Sequence, residues 1–147
     1  MKLIKKFILI ILIGLNYCIT ASAADNLFEQ AKKQFEKKDY EKSKFLFQRN
    51  IVYNPKNAES YLYLAKIFKT EENQEEEEKN LDTTLLLEPN NEEAIYMLIN
   101  IQLDRSNFDK ANTLMDRFTS VCKKMCNKKK EISKSLQDFE ANNAKTN

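Results

Sequence analysis

Asn54-Pro55-Lys56-Asn57 returns 34 positions later as Glu88-Pro89-Asn90-Asn91, and these two tetrapeptides hold the only prolines of a 147-residue chain. A second mark keeps the same interval: Asp39, Asn73 and Asn107 each precede a run with helical spacing. Proline directly after a helical run stops it, because the ring has no N–H to donate onward. Asn and Asp side-chain oxygens accept the orphan N–H groups of a helix's first turn. Each unit thus carries one cap inside it and one cap plus proline at its end, the punctuation of a repeated helix–turn–helix. Between the marks, apolar residues fall three and four apart, as in Tyr61, Leu64, Ala65 and Phe68, or Leu81 and Leu85. No run alternates with period two. The spacing predicts an all-α chain with helices over 26–37, 40–53, 58–70, 74–87, 92–104 and 108–121, and a last one near 128–140. Loops of three to five residues make sequential helices antiparallel neighbours.

A helix pair with these marks and this period resembles the tetratricopeptide repeat (TPR) family, in about three copies over residues 25–123. Leu27, Tyr61 and Ile95 stand where the pattern has a large apolar residue in the first helix, and Ala31, Ala65 and Ile99 where it has a small one. Tyr40, Gln74 and Phe108 open the second helix, followed by Ser43, Glu77 and Ala111 at its small position and by Phe47, Leu81 and Met115 at a bulky one. The resemblance implies a helix–turn–helix solenoid with repeats at 24–57, 58–91 and 92–123, a capping helix near 128–140, and a disordered tail at 142–147. It also marks the departures. Glu77 is expected to swing outward or shift its helix, and Gln30 and Gln34 suit an end unit with one face in water. Lys123 replaces the third proline, so the helix before it is expected to run on without a sharp stop. Ile132, Leu136 and Phe139 share one face of the cap.

The composition excludes more than it names. The single glycine is Gly14 and there is no histidine, so the phosphate-cradling and dinucleotide turns, His-based nucleophile pairs and His-ligated zinc are absent. No catalytic residue, metal site or cofactor is expected. Lys2, Lys5 and Lys6, the apolar run Phe7 to Leu15 and Ala21-Ser22-Ala23 form the pattern of a secretory signal peptide over about 1–23. An uncleaved anchor is the rival, since residues 7–24 are uncharged. Leu15-Asn16-Tyr17-Cys18 lacks the small residue that a lipoprotein box needs before its cysteine. Cleavage removes three lysines and no acids, leaving 21 basic and 22 acidic residues, so no overall charge favours nucleic acid. The expected destination is the periplasm or the exterior, with an exported bacterial-type repeat protein as the class.

Cys122 and Cys126 are the only cysteines beyond the signal segment. Four apart on a helix, they would sit about 6 Å apart and within disulfide reach. A staple between the last repeat and its cap is the simplest reading, with free thiols, an intermolecular bridge and a redox pair as alternatives. Glu71-Glu72-Asn73-Gln74-Glu75-Glu76-Glu77-Glu78 reads as a solvated turn feeding a helix start that favours negative charge, or else as an acidic docking patch. Residues 121–147 carry seven lysines against three acids, a soluble cap or a weak contact for an anionic membrane surface.

The resemblance further implies that the first helix of each pair lines a groove for an extended peptide or helix. Its positions fall on Phe28, Lys32 and Phe35, on Leu62, Lys66 and Lys69, and on Tyr96, Asn100 and Leu103. Phe28, Tyr63 and Glu93 stand where the family's two-carboxylate clamp wants basic or amide residues, so that specificity is not expected. The function implied is a non-catalytic adaptor or scaffold, monomeric, binding a protein or peptide. The alternative is a thiol-dependent assembly or redox factor using Cys122 and Cys126, and self-association through repeat ends is a third class.

Overall fold

The computed structural model describes residues 26–143, with side chains through residue 138; residues 1–25, where a signal peptide is expected, and residues 144–147 lie outside them. Residues 26–36 are helical (α1). They are followed by α2 (Tyr40–Tyr53), α3 (Ala58–Thr70), α4 (Gln74–Leu87), α5 (Glu92–Asp104), α6 (Phe108–Val121), a 3-10 turn (Cys126–Lys128) and α7 (Lys129–Asn143). The described residues contain no strand. The helices fall where the periodicity put them, and consecutive ones pack on each other as an all-α solenoid.

The repeated Asn and Asp residues do the capping their spacing suggested. Asp39 Oδ1 accepts from the Lys42 N–H at 3.3 Å, Asn57 from Ser60 at 2.8 Å, Asn73 from Glu76 at 3.2 Å and Asn91 from Ala94 at 3.0 Å. Asn107 departs: its amide donates instead to Gln102 Oε1 at 3.2 Å. The residue before each inner cap is left-handed, with φ of 62° at Lys38, 56° at Glu72 and 55° at Ser106. Each donates its N–H back three residues, to Phe35, Lys69 or Leu103 at 2.9–3.2 Å. The cap residue after it donates five residues back, to Gln34, Phe68 or Gln102 at 2.8–3.0 Å. Those two bonds form a Schellman motif, which usually places glycine at the left-handed position. The glycine work therefore falls to Lys38, Glu72 and Ser106 rather than to the Asn and Asp residues.

Within each pair the helices approach at the small positions. In the first repeat the Ser43 hydroxyl donates to the Ala31 carbonyl at 2.9 Å. In the third, Ile99 and Ala111 are both fully buried, so the bulk on α5 is met by an alanine on α6. Glu77 corrects the expectation that it turns outward, since it is 5% exposed, and Ala65 on the neighbouring α3 is fully buried. Burial pushes its carboxyl above the ordinary 4.5; Lys69 opposes the rise and Asp104 adds to it.

The core forms two clusters that meet on α3. Leu64 and Ile67 join Phe28, Ala31, Leu46 and Phe47, whereas Leu62 and Ala65 join the cluster built by α4 to α7. Ile132 and Leu136 of α7 are buried in that second cluster and close the end of the stack; the side chain of Phe139 lies outside the described ones. The continuous run expected of α6 is also corrected. The helix stops at Val121, and Cys122 takes an extended conformation at φ −59° and ψ 138°. Among the described residues, no helix is long and apolar enough to cross a membrane.

Replacing Lys38, Glu72 and Ser106 by glycine is expected to stabilise the fold by about 0.5–1 kcal/mol each, because a left-handed L-residue is strained. Thermal unfolding of the triple variant should show a melting point several degrees higher. Glu77→Gln tests the buried carboxyl. A folded-state pKa raised above 4.5 means that the protonated form is the stable one, so stability is complete at low pH and lost as pH rises through the raised pKa. The variant should therefore match the parent near pH 4 and exceed it increasingly toward pH 7 in urea unfolding curves.

Candidate binding groove

Residues from α1, α3 and α5 meet along one groove. Phe35, Lys66, Lys69 and Tyr96 surround a cavity of about 360 Å³, together with Thr70, Glu93, Met97 and Met125. An adjoining cavity of about 470 Å³ is bordered by Glu59, Leu62, Glu88, Glu93, Lys124 and Met125. Asn100 and Leu103, expected in the same groove, instead border a separate cavity of about 410 Å³ with Asp104 and Phe108, and with Ser135 and Asp138 of α7. Phe28 is corrected outright. Its ring is core, 8% exposed, and packs edge-on against Phe47 at 5.7 Å and Tyr63 at 6.2 Å. Leu62, at 6% exposure, offers only an edge to its cavity. Lys32 covers Phe28, its ammonium 5.4 Å from the ring centroid.

Local packing fixes the polar groups around the first cavity. Lys66 pairs with Glu93 at 2.8 Å and lies 4.8 Å from the Tyr63 ring centroid. Tyr63 itself stacks on Phe47 at 4.9 Å and meets Phe35 edge-on at 5.1 Å, so α1, α2 and α3 are joined by one aromatic cluster. The Tyr96 hydroxyl donates to Glu131 at 2.8 Å, and Lys128 sits 5.3 Å from the same ring while pairing with Glu131 at 2.8 Å. Hydrogen bonds from Lys128, then Tyr96, hold the Glu131 carboxyl below its usual range. The cap helix thus fixes the orientation of a groove residue.

Met125 and Lys124 were missed by reasoning on helix faces, because they stand on no helix. They belong to the loop between Cys122 and Cys126, whose Cα atoms lie 5.3 Å apart across a disulfide. The two cysteines bridge a bend rather than one helical face. Glu92, in the first turn of α5, accepts the Lys123, Lys124 and Met125 N–H groups at 2.7, 3.0 and 3.1 Å. Burial would raise the Glu92 carboxyl, but these three bonds outweigh it and hold the group below its usual range. The one available signal was an apolar Met enclosed by a C-x-x-x-C spacing.

The acidic run does not act as a unit. Glu71 pairs with Lys44 at 2.6 Å and Glu76 with Lys79 at 2.9 Å, while Glu77 turns inward. Glu78 binds Arg105, accepts from Gln102 at 3.1 Å and lies 3.5 Å from Lys110. Burial raises Glu78, yet Arg105 and Lys110 bring it below its usual range. Among the described residues, no three His, Cys, Asp or Glu side chains are grouped to hold a metal ion.

No known family profile and no curated protein sequence matches the chain. Solved structures do. The chain is similar to the Yersinia enterocolitica type III secretion chaperone SycD in complex with a peptide of the translocator YopD, at 12% identity and TM-score 0.71, covering 83% of this chain and 95% of that one. It is also similar to the Arabidopsis OM64 TPR domain, at 18% identity and TM-score 0.70, covering 81% and 98%. The first TPR of Spaghetti (RPAP3) bound to the HSP90 peptide SRMEEVD matches at 15% identity and TM-score 0.66, covering 78% and 95%. At these identities the likeness speaks for architecture, and it agrees with three left-handed turns 34 residues apart and with helix pairs closed at their small positions. The chain has the tetratricopeptide-repeat fold.

Proposed function

We propose that this chain is an exported adaptor without catalytic activity, which holds a peptide or helical segment of another protein in the α1–α3–α5 groove. One observation carries the reading: three separate helices bring Phe35, Lys66, Lys69 and Tyr96 around a single cavity. Aromatic and aliphatic surface beside ammonium groups suits an apolar anchor with a polar neighbour, the composition of interface hot spots. Two solved structures of this fold, SycD with its YopD peptide and the RPAP3 domain with SRMEEVD, hold peptides, which supports a peptide partner here. Export rests on the signal pattern of residues 1–23, and a disulfide suits the oxidising compartment that such a signal leads to.

Site-specific photocrosslinking in cells that make the protein tests the proposal. A benzophenone amino acid at Lys69 is expected to trap one discrete protein, and the same probe at exposed Thr113 on α6 is not. Adding Tyr96→Ala or Phe35→Ala to the Lys69 probe should cut the adduct several-fold while circular dichroism shows the helices intact. Equal labelling from both faces, or an adduct indifferent to these substitutions, would remove the groove from the function.

A further inference from the structure

Two helix pairs of this chain end on proline, at Pro55 and Pro89, and the third ends on a closed loop. That loop is held twice: by the Cys122–Cys126 bridge, and by the Glu92 carboxylate gripping the backbone of Lys123, Lys124 and Met125. A stop signal alone needs neither device, since proline supplies it elsewhere in the same chain. What the loop adds is a side chain. Met125 is partly buried against the core cluster of α5 and α6 and borders both cavities of the groove. Methionine at such a place offers an apolar, polarizable surface that adapts to different side chains.

The groove beside it is polarised. Glu59 and Glu88 are exposed at the cavity near the start of α3, and with Lys124 exposed at the same border that end keeps an excess of negative charge. Lys69 is exposed at the other cavity, toward the end of α3, and the Lys66–Glu93 pair between them is internally compensated. Along α3, the step from Glu59 to Lys69 is about 15 Å, at 1.5 Å per residue. An extended segment covers that distance in about four or five residues.

The geometry points to the disulfide-closed loop as a wall of the groove: it presents Met125 to a short, extended, charge-polarised segment of the partner, with an apolar side chain at its centre, basic side chains toward Glu59 and Glu88, and acidic ones toward Lys69. This rests on the adaptor reading and specifies what the adaptor holds.

Synthetic seven-residue peptides with a central phenylalanine provide the probe. One set carries two lysines at one end and two glutamates at the other, in both chain directions; a second set has the same residues with the charges interleaved. Binding is read from the Met125 methyl resonance during titration. The polarised set is expected to bind at least tenfold tighter than the interleaved set, and replacing the central phenylalanine by alanine should abolish the difference. Met125→Ala, which keeps the bridge, should weaken the polarised peptides at least fivefold, read then from the Met97 methyl. Cys122→Ser with Cys126→Ser should do the same. Polarised peptides that bind both variants as tightly as the parent would overturn the loop's role while leaving the adaptor intact. Equal binding of the two sets, or no binding by either at millimolar concentration, would overturn the inference, and crosslinking from Lys69 decides the adaptor reading independently.

Discussion

A single backbone bend, repeated at Lys38, Glu72 and Ser106, sets the geometry on which the rest depends. In each bend the following Asp or Asn ends one helix through its N–H, which donates five residues back. At Asp39 and Asn73 the side-chain oxygen of that same residue opens the next helix. With one residue serving both helices, the turn has no slack, and the antiparallel pair leaves it at a set angle. The left-handed residue costs about 1–2 kcal/mol without glycine. A cap of this type is worth about 0.5–2 kcal/mol, so cap and strain are comparable and the packed interface must supply the margin. Only because the bend recurs every 34 residues do α1, α3 and α5 arrive side by side.

The interface that supplies the margin obeys a volume rule rather than a residue rule. Close approach needs little combined bulk across the pair, and the chain meets that need differently in each repeat. Ala31 with Ser43 adds a hydrogen bond, while Ala65 and Glu77 in the second pair, and Ile99 and Ala111 in the third, are all buried. The middle solution puts a carboxyl where the others put small neutral side chains, and burial there raises its pKa. Polar burial recurs between the first two repeats, where the Asn50 side-chain amide donates to the Ser60 hydroxyl at 2.8 Å and leaves its Oδ1 without a partner. Because α3 contributes to both core clusters, a defect on either of its faces is transmitted to the neighbouring repeat, the nearest-neighbour coupling expected of a solenoid.

Period and caps were legible because they are local: proline, Asn and Asp act within one turn of their own position. Helix boundaries followed from them, whereas Phe35, Lys66, Lys69 and Tyr96, which share a cavity, were positions that the family resemblance implied. What escaped depends on residues far away in sequence. Whether Phe28 faces solvent is decided by Phe47 and Tyr63, and no pattern within α1 records that they cover it. Asn100 and Leu103 border a different cavity, one that α7 helps to line with Ser135 and Asp138. The left-handed residues escaped for another reason, since Lys, Glu and Ser at those places carry no conformational signature of their own.

The stop after α6 shows how a distant contact substitutes for a local one. Proline ends a helix by lacking a donor, so it acts wherever it stands. At the third boundary the donors remain, and Glu92, some thirty residues earlier, accepts three of them in succession. A stop built this way depends on α5 being in place beside α6, so the third boundary forms only when its own repeat has folded. That dependence has a structural consequence. The second proline turn brings the polar Glu88 to the groove's edge, whereas the loop tied to the first turn of α5 brings Met125 and Lys124 there. The boundary that lacks its proline is thus the place where an apolar side chain from outside the first helices of the pairs enters the groove.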